Sequence, residues 1–362
     1  MIFDLPSTTT SQVNSKLVQV RVEGGVTTLG RVLTLVIVTE DSAKVEEAIE
    51  AANHASREHP CRIIVVAKGA KRAAPRLDAQ IRVGGDAGAG EIVVLRLYGA
   101  LADQGAGCVM PLLLPDTPVV AWWPFEAPPV PAKDPIGCLA NRRITDSANE
   151  RNPIKALEQR RSGYAPGDTD LAWTRLTNWR AMLAAALDLP PSEKVASASV
   201  IGELDSPSTD LLAAWLAARL RIPVSRLKAP AGHQGMYGVT LERRSGNVDL
   251  QRPDGRIGIL VQAGQPDRRV ALHRRSDSDC LAEELRRLDD DEIYAEALRA
   301  LPKVTRGRAP TKTAARSTAT KPKPAAATKT PAKAPAPAKK PAPRKTKATA
   351  AAKGKAAEGS AS

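Results

Sequence analysis

The sequence predicts an α/β protein of two domains with mixed sheets, the second ending in an antiparallel meander and C-terminal helices, followed by a disordered tail. Three observations carry this. Leu33–Thr39 (LTLVIVT) and Cys61–Ala67 (CRIIVVA) are near-continuous apolar runs, the pattern of strands buried on both faces of a parallel sheet. From Gly238 the pattern changes to the short runs GVTLERR, NVDLQ, RIGILVQ and RRVALHR, separated by SGN, PDG and GQPD turns. From Lys303 onward the chain is dominated by Ala, Pro, Lys and Thr with no aromatic residue, so it cannot bury enough surface to offset its ordering entropy.

Taken in order, Ser11–Val22 has Val13, Leu17 and Val20 on one face and predicts a short helix. Leu33–Thr39 is the first buried strand. Asp41 or Ser42 can cap the next helix, Ala43 to Arg57, with Val45, Ala48, Ile49 and Ala52 as its stripe. Cys61–Ala67 completes a strand–helix–strand unit of about 35 residues, the size of a right-handed crossover. Leu77–Val83 and Glu91–Leu97 flank the turn GGDAGAG and read as an antiparallel pair. Tyr98–Leu114 reads as helical, although Gly105, Gly107 and Pro111 weaken it.

The stretch TPVVAWWPFEAPP (117–129) reads as a strand that Pro124 ends. It holds Trp122, Trp123 and Phe125 in a chain with only five Trp, four Tyr and two Phe. Alternation sends the two tryptophans to opposite faces, so they are expected to differ strongly in burial. Residues 1–130 thus form the N-terminal domain. Residues 131–190 read as a connecting segment and a Trp/Arg-rich helix, Asp170–Leu187, whose stripe is Ala172, Leu176, Trp179, Leu183 and Leu187. Residues 191–302 form the C-terminal domain: a strand at Val195–Leu204, a helix at Leu211–Arg221, a strand at Pro223–Leu227, the meander, and charged helices at Asp277–Leu288 and Asp290–Leu301. The tail is 303–362.

The net charge of +14 resides in that tail. Residues 303–362 hold 16 Lys and Arg and one acid, Glu358, whereas the preceding 302 residues hold 37 basic and 38 acidic groups. The tail can associate with nucleic acid through counterion release, without base readout; a merely solubilising extension fits equally well. Cys61, Cys108, Cys138 and Cys280 are widely spaced, which points to a reduced, cytoplasmic setting. The apolar region Val109–Phe125 is interrupted by prolines and Asp116, so no membrane span is expected. The N-terminus shows no signal-peptide pattern.

No GxSxG, HExxH or Walker pattern is present. His54, His59, His233 and His273 lack metal-like spacing, and GGDAGAG joins two strands rather than a strand and a helix. No catalytic residue, metal or cofactor is expected. Ser206, Ser208 and Thr209 sit between a strand and a helix, where hydroxyls and backbone N–H groups hold phosphate or simply cap the helix. Arg180 falls on an apolar stripe, where an arginine snorkels, pairs with a buried acid or meets a partner.

The ordered set EGG…LGRVLTLVIVT, PLLLPDTPVVAWWP, RRITDS and DLAWTRLTNWR resembles the glucose-6-phosphate dehydrogenase assembly protein family, OpcA, in its actinobacterial form, over roughly residues 1–300. The resemblance implies a non-enzymatic protein that binds glucose-6-phosphate dehydrogenase, favours its active oligomer and supports the oxidative pentose phosphate pathway. Photosynthetic members are linked to thioredoxin control, which the cysteine spacing here does not support. The candidate partner-binding residues are Trp122, Trp123, Phe125, Arg142, Arg143, Asp146, Trp173, Arg175 and Arg180, with the more exposed tryptophan near the helix or the RRITDS segment. An alternative is a sugar-phosphate-binding or isomerase-like protein using Ser206–Thr209.

Overall fold

The computed structural model describes residues 1–23, 32–84 and 91–307. Residues 85–90, most of the GGDAGAG turn, and the tail from 308 on lie outside the described residues, and with the tail the nucleic-acid contact expected of it.

The first sheet is built from β1 (Ile2–Leu5), β2 (Leu33–Glu40), β3 (Cys61–Lys68), β4 (Arg76–Val83), β5 (Glu91–Tyr98), β6 (Val119–Trp123), β7 (Arg142–Thr145) and β8 (Asp168–Asp170). Their spatial order is β1-β4-β5-β3-β2-β6-β7-β8. β1–β4 and β4–β5 are antiparallel, and every other neighbouring pair is parallel. The parallel part runs outward from β2 in both directions, the doubly wound arrangement, and its switch point lies between β2 and β6. Such a sheet needs cover on both faces. α1 (Thr10–Glu23) and the short α3 (Gly105–Val109) cover one face, with Val13, Leu17, Val20 and Val109 in its core. α2 (Lys44–Ser56) covers the other, through Val45, Ala48, Ile49 and Ala52.

α4 (Pro153–Gly163), α5 (Leu171–Thr174), α6 (Thr177–Leu187) and α7 (Pro207–Leu220) lead into the second sheet. It comprises β9 (Ser197–Gly202), β10 (Val224–Lys228), β11 (Met236–Glu242), β12 (Val248–Gln251), β13 (Ile257–Gln262), β14 (Arg268–Ala271) and β15 (Thr305–Arg306), in the order β14-β13-β12-β11-β9-β10-β15. β9–α7–β10 is a parallel crossover, and β11 to β14 form the expected meander. α8 (Asp277–Arg286) and α9 (Glu292–Ala300) follow β14. α9 packs on the second sheet beside α7 through Ala297 and Leu298. α8 instead returns to the first sheet, where Cys280, Leu281 and Leu285 join the core beneath α2.

Four expectations are corrected. Tyr98–Leu114 is not one helix; 3-10 turns flank α3, because two glycines and Pro111 interrupt any longer α pattern. The supposed connecting segment supplies β7 and β8 to the first sheet and α4 between them. The turn into β8 requires Gly167, at φ +87°, where a Cβ would lie 2.6 Å from the Asn141 carbonyl. Asp170–Leu187 is not one helix: Asp170 ends β8, its carboxylate accepts from the Ala172 N–H as cap of α5, and α6 starts afresh at Thr177. Finally, α7 begins at Pro207, not Leu211, because Ser206 caps it and proline suits the first turn.

Candidate functional site

Both tryptophans of β6 are 1 % exposed, so the expected contrast in burial is absent. The reason is the layering. Trp122 points toward α2 and α8 and joins the core with Ile37 and Ile144; Trp123 points to the opposite face and packs with Ala121 and Ile136. Phe125, just past the strand, is half-buried, with the Lys44 ammonium 4.4 Å from its ring centre. It lines a crevice of about 290 Å³ at the carboxyl ends of β2 and β6, together with Thr39, Lys68, Trp123 and Arg151.

Arg142, Arg143 and Asp146 stand on and just beyond β7, and Trp173 and Arg175 on and beyond α5. All five side chains are buried. Arg175 donates to both Asp146 oxygens, at 2.8 and 2.6 Å, and to Asp277 at 2.6 Å. Arg142 donates from Nε and Nη2 to Glu284 Oε2, at 3.2 and 2.5 Å, while Thr174 Oγ1 donates to the other Glu284 oxygen. The Trp173 indole N–H donates to Asp291 at 2.7 Å. Arg275 donates to the Thr174 carbonyl and to Glu283, and Glu283 also accepts from Thr177. Asp277, Glu283 and Glu284 belong to α8, and Asp291 caps α9. RRITDS and DLAWTR therefore meet in one buried polar seam that fastens α8 and α9 to the end of the first sheet. They form no exposed Trp/Arg surface.

The remaining residues diverge. Arg143 turns away from the seam to Asp168 and to the Ala140 and Pro166 carbonyls, closing β7 onto β8. Arg180 is half-buried, finds no carboxylate among the described residues, and lies 3.8 Å over the Trp173 ring while donating to Thr177 Oγ1. Burial lowers its pKa. Burial also pushes the Asp146 carboxyl up, against the pull of the Arg175 guanidinium. For Arg175 burial works the other way, but Asp146 and Asp277 outweigh it and hold its pKa well above the ordinary arginine value. Beside the seam, burial pushes Glu150 up to about 7 although Arg160 donates to it at 3.1 Å.

The three hydroxyls expected to meet phosphate are engaged internally. Ser206 Oγ accepts from the Thr209 N–H and from Thr209 Oγ1, and Ser208 Oγ donates to the Ala172 carbonyl at 2.8 Å. Cys61, Cys108 and Cys280 are buried and Cys138 is exposed, and none of the four is in a disulfide. Among the described residues no His, Cys, Asp and Glu group could hold a metal, and no helix is long and apolar enough to cross a membrane.

Sequence reasoning missed Asp277, Glu284 and Asp291 as partners of the arginines. A signal existed for Glu284, which lies four residues after Cys280 and three after Leu281, on the buried stripe of α8. An acid there needs a cation.

Two family models match the chain in tandem. The glucose-6-phosphate dehydrogenase subunit N-terminal domain matches residues 52–162, and the C-terminal domain of the same subunit matches residues 166–298. Among curated relatives, the putative OxPP cycle protein OpcA of Synechocystis sp. is 29% identical over 160 residues, covering 40% of this chain and 32% of that protein. The OpcA protein of Nostoc punctiforme is 29% identical over 162 residues, covering 41% and 33%. The match thus spans about a third of the length of these relatives. Among solved structures, glucose-6-phosphate 1-dehydrogenase from Mycobacterium avium aligns with TM-score 0.38 and 10% identity, covering 76% of this chain and 94% of that one. A trehalose-phosphate synthase from Burkholderia xenovorans aligns with TM-score 0.23 and 12% identity, covering 55% and 67%.

Proposed function

We propose that this chain, which belongs to the OpcA family of glucose-6-phosphate dehydrogenase assembly domains, binds glucose-6-phosphate dehydrogenase and favours its active oligomer, without a chemical step of its own. The observation that carries the reading is the tandem family match across both halves of the body, 52–162 and 166–298. The mechanism is differential binding: contacts made better with the active assembly than with the inactive one shift the population between them. Four cysteines outside any disulfide fit a reduced compartment, and we assign the protein to the cytoplasm.

The seam residues are too buried to touch a partner, so the contact surface lies elsewhere, and Trp122, Trp123, Arg142, Arg143, Asp146, Trp173 and Arg175 support it from within. The second sheet provides the surface. Its helices cover one face, which holds Val200, Val239, Leu250 and Leu260 in the core. On its other face, Ile201 pairs in register with Gly238, Gly238 with Gln251, Gln251 with Ile259 and Ile259 with Arg269. Ile201, Ile257 and Ile259 there are only half-buried, and Val261 is 40 % exposed. Branched apolar side chains interleaved with Thr240, Asp249 and Gln251 suit a protein contact that desolvates a flat sheet.

The test is a titration of the purified protein into the dehydrogenase, following rate against substrate concentration and oligomer size. Activation with a shift to a larger complex is expected, and Ile259→Glu weakens it at least tenfold without lowering the melting temperature by more than a few degrees. Unchanged rate, KM and size at micromolar protein sink the reading. An unimpaired Ile259→Glu moves the contact off this face.

A further inference from the structure

We propose that the cleft at the amino end of α7 binds the phosphate group of a small phosphorylated sugar or polyol, through Arg252 and Arg274. The cleft, about 130 Å³, lies between α6, the α7 amino end and the β11 and β12 ends, with Trp179, Glu203, Ser206 and Met236 among its walls.

Arg252 is the unusual residue. It is 5 % exposed. Two of its nitrogens are fixed by the Leu272 and Met236 carbonyls, each at 2.9 Å, and its Nε–H is buried without a partner. No carboxylate among the described residues lies within ion-pair distance of it. The buried Arg142, Arg143, Arg160, Arg175 and Arg226 all have one. Arg243 shares the deficit but does not line this cleft. A buried cation without a counter-charge is costly, and an anion entering the cleft relieves it. Burial lowers the Arg252 pKa and Arg274 lowers it further, against the pull of Asp254. Arg274 is exposed and lines the cleft. α7 is a 14-residue helix, and its amino end adds the positive pole of its dipole although its capping hydroxyls are engaged.

The remaining walls choose the ligand. Glu203 and Asp205 line the same cleft, Glu203 being held by the Gly235 N–H at 2.8 Å. Carboxylates repel a bare polyanion, yet they accept hydrogen bonds from hydroxyl groups. Trp179 and Leu176 supply apolar contact. The volume admits a phosphate head with the rest of the molecule at the mouth. The combination fits a phosphate monoester carrying hydroxyls better than inorganic phosphate, and the small cleft favours a sugar over a bulkier nucleotide.

Calorimetric titration of the full chain with glucose 6-phosphate, inorganic phosphate and adenosine monophosphate, at matched ionic strength, tests this without any dehydrogenase present. Its failure is therefore separable from failure of the assembly reading. Saturable binding of the sugar phosphate is expected, at least tenfold tighter than of the other two, with a loss of at least tenfold in Arg274→Ala and in Arg252→Met. Arg274 is at the surface, so Arg274→Ala decides the matter if Arg252→Met does not fold. No saturable heat at millimolar sugar phosphate, or unaltered affinity in Arg274→Ala, overturns the site. Equal or tighter binding of inorganic phosphate or the nucleotide overturns the sugar assignment.

Discussion

Arg142 and Glu284 stand 142 residues apart in sequence and 2.5 Å apart in the fold, and both are nearly inaccessible to water. Removing one partner leaves the other as an uncompensated buried charge. Arg142→Leu is expected to cost about 3–5 kcal/mol, and the double change with Glu284→Leu markedly less than the sum of the two singles. Urea unfolding of the four proteins gives this cycle, and additivity would show that the pair does not act as a unit. Glu150 makes a different prediction at the same scale. Its folded pKa, about 7, lies above that of a free carboxyl, so the native state binds the proton more tightly than the unfolded chain does. Its stabilising contribution is complete below the unfolded value and is lost as pH rises through about 7. Between pH 5 and 7.5 the wild type should lose melting temperature relative to Glu150→Gln; parallel curves would place the Glu150 pKa near its ordinary value.

The element on which most depends is β6. Its five residues are all buried, and its two tryptophans face two different cores. Trp122→Ala is therefore expected to cost about 3–5 kcal/mol by chemical unfolding, and Trp123→Ala a similar amount. A cost below about 1 kcal/mol for either would mean that its face collapses around the gap. The strand was readable as a strand from Val119, Val120 and Pro124. Its double burial was not, because alternation tells that neighbouring side chains oppose each other, not whether a second layer covers both sides. α8 shows the same limit. Its Leu stripe announced a packed helix, but nothing local says that this helix leaves the sheet next to it in sequence and lies beneath α2.

At the scale of the molecule, the described residues form one compact unit despite holding two sheets. The return of α8 and the seam of Arg142, Asp146, Thr174 and Arg175 explain why. The first sheet lacks part of its cover until residues 277–286 are in place. Unfolding by urea should therefore be a single transition, with tryptophan fluorescence and far-ultraviolet dichroism coincident. Two resolved transitions would mean that the sheets fold independently and that the seam couples them weakly. The compact body carries both proposed binding surfaces on its C-terminal half. The open face lies on the second sheet away from the Trp and Arg motifs that mark the family, whereas the α7 cleft borrows Leu176 and Trp179 from one of them.

The strand–helix–strand start, the antiparallel pair, the meander, the C-terminal helices and the family are legible in the amino-acid chain alone, because periodicity, turn chemistry and motif order are local properties. The sequence also marks Arg142, Asp146, Trp173 and Arg175 out, but as candidate partner-binding residues. Their roles are set by contacts distant in sequence. Their partners Asp277, Glu284 and Asp291 come from more than 100 residues away. An arginine meant for a buried carboxylate and one meant for a partner protein look identical until the fold shows which side of a packed layer each occupies.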